Sequence, residues 1–192
     1  VIIGPDFVIG HIGKTGGDAA KQYTEALRPK GVHWYAITNP DKHLPPHQVV
    51  DLEAHDLVLT FRRLPSMVLS WFHHFGWQRT RFDSKSEMVA AMVEFTRPDE
   101  VLKEFVSESK RIPYFIRCEN LFDDLIEFYQ AKGVLVQTLQ AARLFEGIET
   151  KPKRQYQHRI SSWFSSGQLK QLYQNNPLWS EYENRVYGYL VR

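Results

Sequence analysis

The stretch that decides the fold is Phe7-Val8-Ile9-Gly10-His11-Ile12-Gly13-Lys14-Thr15-Gly16-Gly17-Asp18. Its first half is a short apolar run of the kind that forms a buried strand. Its second half is a glycine-rich turn, and the residues that follow, Ala19 to Leu27, have helical patterning closed by Pro29 and Gly31. A glycine turn between a strand and a helix leaves successive backbone N–H groups pointing one way, and the helix start adds a partial positive charge there. With Lys14 at the mouth and the Thr15 hydroxyl beside it, the turn is expected to grip a phosphate- or sulfate-bearing group.

Working outward, Val32 to Thr38 reads as a second strand, Asn39 to His47 as a turn-rich connection, and Leu57 to Phe61 as a third strand ending at Arg62-Arg63. Pro65 to Phe75 has the first-turn proline and apolar spacing of a helix with one buried face, with Gly76 to end it. Gln78 to Ser86 reads as a surface loop, Glu87 to Phe95 and Asp99 to Ser109 as helices parted by Pro98, and Tyr114 to Arg117 as a further strand. Leu121 to Ala131 and Val134 to Phe145 read as helices on either side of Gly133. Lys151-Pro152-Lys153-Arg154 is a basic loop, and Gly167 to Leu190 is two helices broken at Asn176-Pro177. Alternating strands and helices predict an α/β chain with three layers, a central parallel sheet and a helical C-terminal part, residues 1–192 forming a single domain.

Composition narrows the function classes. The 192 residues are 43% hydrophobic and 24% charged with a net charge of +2, so a globular chain is expected, without the global basic excess of a nonspecific nucleic-acid binder. One cysteine, Cys118, excludes an intrachain disulfide and a Cys-x-x-Cys metal site, and a cytoplasmic location is expected. No apolar run approaches the roughly 20 residues of a membrane span. No histidine pair has metal-ligand spacing with a third ligand, so no metal is expected.

The turn departs from the Walker A pattern, which requires a glycine where Val8 stands; the extra glycines, Gly16 and Gly17, come after the lysine. Gly13-Lys14-Thr15-Gly16-Gly17 after a first strand resembles the 5′-phosphosulfate loop of sulfotransferases that use 3′-phosphoadenosine 5′-phosphosulfate (PAPS), within their P-loop NTPase-like fold. A strand ending in Phe61-Arg62, followed eight residues later by Ser70, is similar to that family's 3′-phosphate element. Arg117 to Leu121 and Gly167 to Tyr187 resemble its later segments.

The resemblance implies that Gly13, Lys14, Thr15, Gly16, Gly17, Asp18 and Ala19 bind the 5′-phosphosulfate and that Arg62 and Ser70 hold the 3′-phosphate. Lys14 would stabilise the leaving phosphate, with PAP (3′-phosphoadenosine 5′-phosphate) as product. Lys42-His43-Leu44-Pro45 resembles the family's His-Leu-Pro element and makes His43 the candidate base, with His11, His47, His73 and His74 as competitors. The acceptor would be a hydroxyl or amine of a small molecule or carbohydrate. Lys151, Lys153 and Arg154 fall where relatives bring a basic loop over the 3′-phosphate.

Two features depart from the pattern. Asp18 stands where relatives carry Thr or Ser, and it is expected to turn away as the helix N-cap. Pro65 lies three residues after Arg62, which leaves Arg62 and Arg63 as alternatives for the phosphate contact. Other readings of the chain are a small P-loop kinase, disfavoured by the arginines where a carboxylate is needed for Mg2+, and a noncatalytic nucleotide-binding or interaction protein of the same fold.

Overall fold

The computed structural model describes residues 1–35, 40–74, 82–134 and 159–192. The chain forms two compact units, Val1–Phe61 with Phe105–Pro152, and Arg62–Glu104 with Lys153–Arg192.

The first unit is α/β. Its strands are β1 (Ile2–Ile3), β2 (Phe7–Gly10), β3 (His33–Trp34), β4 (Asp56–Phe61) and β5 (Tyr114–Arg117), in the order β3-β1-β2-β4-β5. β2, β4 and β5 run parallel, with Gly10 opposite Leu59 and Phe61 opposite Arg117. The sheet is nevertheless mixed, which corrects the expectation of a wholly parallel one: β1 pairs antiparallel with both β2 and β3. The cause is local. Gly4 N–H bonds to Phe7 O at 2.9 Å, and a Cβ at Gly4 would lie 2.2 Å from the Phe7 ring, so only glycine lets the chain fold straight back on itself there.

Helix α1 (Gly17–Leu27) follows β2 and the glycine turn, and α5 (Leu121–Ala131) follows β5 after a 3-10 turn at Cys118–Asn120. Ala20, Tyr23 and Leu27 of α1 and Leu125, Phe128 and Tyr129 of α5 are buried in one apolar cluster with Phe7, Ile9 and Val58 of the sheet. The buried hydroxyls inside it are paired: Thr24 Oγ1 donates to Ala20 O at 2.7 Å and lies 2.7 Å from Tyr129 Oη.

The second unit is helical. It contains α2 (Leu64–His74), α3 (Lys85–Phe95), most of α4 (Pro98–Val106), α6 (Ser166–Gln174) and α7 (Pro177–Tyr187). Buried carboxylates tie its helix starts together. Glu183 of α7 accepts the Leu64 N–H at 2.7 Å and the Tyr173 hydroxyl at 2.9 Å, capping α2 from 119 residues away. Asp99 accepts the Leu178 and Trp179 N–H groups at 2.8 and 2.7 Å, capping α7. Ser165 and Gln168 form a reciprocal capping box on α6. No helix among the described residues is long and apolar enough to cross a membrane. The expected helix from Val134 to Phe145 falls, apart from Val134, outside the described residues, as does the basic loop Lys151 to Arg154.

Candidate functional site

The turn from Ile12 to Gly16 leaves β2 at its C-terminal end and opens α1, where the crevice of a parallel sheet lies. Two of its residues are left-handed, Lys14 at φ 68° and Gly16 at φ 100°. The left-handed region is unfavourable for a side-chain-bearing residue, so Lys14 is held there by its surroundings. The first helical hydrogen bond runs from Ala20 N–H to Gly16 O at 2.9 Å, so the N–H groups of Gly17, Asp18 and Ala19 precede the intrahelical ladder.

Each glycine has its own reason. A Cβ on Gly17 would fall 1.9 Å from Cδ2 of the His11 ring, so His11 and α1 occupy one another's space and glycine is obligatory. A Cβ on Gly16 would meet the Cys118 sulfur at 3.1 Å on an already left-handed backbone. Gly13 differs: a Cβ there would make only an ordinary 3.9 Å contact with His43 Cε1, so the protein itself tolerates one. The open direction at Gly13 is the one facing His43.

Thr15 is wholly buried, and its hydroxyl is engaged within the protein. Oγ1 donates to Ile12 O at 2.6 Å and lies 2.8 Å from Thr60 Oγ1. A hydroxyl has one hydrogen, so Thr60 is the donor in the second bond. Thr15 therefore latches the turn to β4.

Asp18 does not cap α1. The N-cap is Gly16, with no side-chain bond, and Asp18 sits in the first turn with its carboxylate 3.0 and 3.4 Å from Lys42 Nζ. The cap expectation failed because the carboxylate had a stronger partner, a cation 24 residues away that no local spacing reveals. The pair places Asp18 at the favourable end of the helix dipole and sets a positive charge against it.

Lys42 carries its neighbour with it. His43 closes the 3-10 turn Pro40–His43, its Nδ1 lies 3.0 Å from the backbone carbonyl of His11, and the two imidazole rings are 4.5 Å apart. A carbonyl only accepts, so Nδ1 of His43 carries the hydrogen, and in the neutral ring Nε2 holds the lone pair. His11 itself is 4% exposed, and its Nδ1 has no hydrogen-bond partner among the described residues. Burial, followed by the neighbouring His43, pushes its pKa down to about 3, so it is a neutral ring at ordinary pH. His11 was readable as a buried strand-end residue; its contact with His43 was not, because the two are 32 positions apart.

Of the remaining predicted residues, Arg62, Arg63, Ser70 and His73 belong to the second unit and are described within it. Arg62 precedes α2 and its carbonyl accepts the Trp179 indole N–H at 3.1 Å. Ser70 lies two turns into α2, half-buried. Arg63 is committed to other partners: Glu183 at 3.4 Å, the Tyr189 carbonyl at 3.2 Å, and the Tyr187 and Tyr189 rings with centroids 4.1 and 4.3 Å from its guanidinium carbon. His73 is buried against the Trp163 ring at 4.9 Å. Among the described residues no three His, Cys, Asp or Glu side chains are grouped as a metal site.

Against these features, a scan of protein-family models, a search of curated proteins and a search of solved structures each returned no match.

Proposed function

We propose that this chain is a PAPS-dependent sulfotransferase of the three-layer, P-loop-like type, acting on a hydroxyl acceptor. The observation that carries the reading is the placement of His43: Nδ1–H is fixed on the His11 carbonyl, which leaves Nε2 as the nitrogen that can accept a proton, and the ring borders Gly13 of the glycine–lysine turn. An imidazole anchored through Nδ1–H, with Nε2 left as its proton-accepting nitrogen, beside an anion-gripping turn is what removal of a hydroxyl proton requires. The nucleotide supplies the sulfuryl group. His43 Nε2 takes the acceptor proton as the new O–S bond forms, and Lys14 holds the charge left on the phosphate oxygen as the old S–O bond breaks.

The turn's N–H groups from Gly13 to Ala19, apart from that of Thr15, which bonds to Ile12 O at 3.4 Å, would hold the 5′-phosphate end, with Thr15 supporting the turn from within. The Asp18 charge, held by Lys42, is balanced and does not oppose an anion there. The 3′-phosphate is assigned to Arg62 and Ser70 on the eight-residue spacing that joins the strand end to the helix.

Calorimetric titration with PAP, AMP and ATP·Mg2+ tests the assignment without knowledge of the acceptor. Clear preference for PAP over AMP is expected. Preference for ATP·Mg2+ would replace it with a kinase, and failure to bind any of the three would leave a fold without this chemistry.

A further inference from the structure

One side of α1 leads away from the glycine turn into a cavity. Asp18, Lys21, Glu25 and Arg28 share one helix face at 100° per residue, and the last three line a cavity of about 270 Å3 together with Ile2, Val32 and Trp34. The cavity lies wholly in the first unit. Its floor is apolar and its rim is charged. Lys21 stands 5.2 Å from the centroid of the Trp34 ring and 3.5 Å from Glu25, so those two charges offset one another. Arg28 makes no ion pair among the described residues, so the uncompensated charge on the lining is positive.

Arg28 is also in the wrong conformation for its type. It is the C-cap of α1 at φ 48°, ψ 52°, a left-handed position where glycine or asparagine is usual. A long cationic side chain at a strained position beside a cavity is characteristic of a ligand-holding residue. One residue of the cavity wall, Trp34, stands two rings away from the proposed base. Trp34 lies 6.4 Å from the His11 ring, His11 lies 4.5 Å from His43, and the Asp18–Lys42 pair stands one helical turn above Lys21.

We propose that this cavity binds a compact, ring-bearing organic carboxylate, its flat face against Ile2, Val32 and Trp34 and its carboxylate on the Arg28 guanidinium. Bidentate pairing with a planar guanidinium gives the anion its orientation, and the apolar floor gives it area. As the anchor of an acceptor whose hydroxyl is directed toward His43, the site rests on the sulfotransferase reading; as an anion site it does not.

The test is 1H–15N NMR titration of the whole chain with 4-hydroxyphenylacetate and with the neutral 4-hydroxyphenylacetamide. The acid is expected to shift the Trp34 indole and the Lys21 to Arg28 amides, with Kd at least tenfold lower than the amide. Arg28→Gly should abolish that preference while raising Tm by about 2 °C, since glycine is at ease in a left-handed cap. Arg28→Gln, which keeps the backbone as it is, should lose the preference equally. Equal Kd values, no binding of either compound, or a preference that survives both substitutions would overturn the site. PAP titrated into the same samples separates the two proposals. PAP binding without acid binding removes this inference alone, and acid binding without PAP binding removes the nucleotide reading and its acceptor role.

Discussion

His11 makes stability depend on pH in a way that can be isolated. In the unfolded chain an imidazole takes its proton near pH 6.5; in the folded chain burial against α1 and His43 pushes the His11 pKa down to about 3. Between these values the unfolded state binds a proton that the folded state refuses. The stabilisation is therefore fully present above pH 6.5 and is lost as the pH falls through that window. The slope is roughly 1.4 kcal/mol per pH unit, and because the side chain is 4% exposed no solvent discount applies. From pH 6.5 to 4.5 the loss is about 2–3 kcal/mol, a large part of the 5–15 kcal/mol typical of a domain. Urea denaturation of the wild type and of His11→Phe at half-unit steps measures it. The phenyl ring keeps a wedge between Gly17 and His43 but cannot titrate, and any cost of its extra volume is the same at every pH. The two stability curves are expected to converge by about 2–3 kcal/mol across the interval. Curves that stay parallel would refute a neutral, buried His11.

The glycines of the turn should separate by function. Gly13→Ala should leave Tm unchanged and weaken PAP binding at least tenfold, whereas Gly17→Ala should cost about 3 kcal/mol through its overlap with His11; equal loss of stability at both would contradict the packing described. Thr15→Val strands the Thr60 hydroxyl hydrogen and removes a donor from Ile12 O, at about 2 kcal/mol, while Thr60→Val leaves only an unused lone pair on Thr15, at about 1 kcal/mol or less. Chemical denaturation giving the reverse order would overturn the hydrogen-bond direction. In the proposed reaction, Lys14→Ala should abolish transfer, and His43→Ala should lower kcat by roughly 10²-fold or more with PAP affinity nearly unchanged; full activity in the second variant would remove His43 as the base.

The parts of this structure legible in the sequence are those with a local cause. β2, β4 and β5 fall within or close to the apolar runs expected of them, and Leu64–His74 is displaced by one residue from the helix read from Pro65. Ser84 caps Lys85–Phe95 two residues before the expected start, as a Ser-x-x-Glu pattern allows. β1 went unread because two residues carry no period, and its antiparallel pairing depends on the tight Gly4 turn. In the site, the glycine turn was legible because strand, glycines and helix adjoin. The Thr15 latch, the Asp18–Lys42 pair and the His11–His43 contact were not, since each joins residues 24 to 45 positions apart. The composition of one face of α1 was visible, but the cavity against it depends on β3 and β1 being neighbours.

The Glu183 cap has a consequence for how the protein is made. α2 forms the start of the second unit, yet the carboxylate that completes its first turn is supplied 119 residues later. On a ribosome adding about 5–20 residues each second, α2 emerges several seconds before its cap exists. During that interval the N-terminal end of the helix, with Leu64 and Pro65 still to be buried, lacks both its hydrogen-bond acceptor and the tyrosine cage around Arg63. Closing so long a loop is a slow contact, so the second unit is expected to reach its native packing only once α7 has cleared the exit tunnel, whereas β2, α1 and β4 can pair much earlier in synthesis.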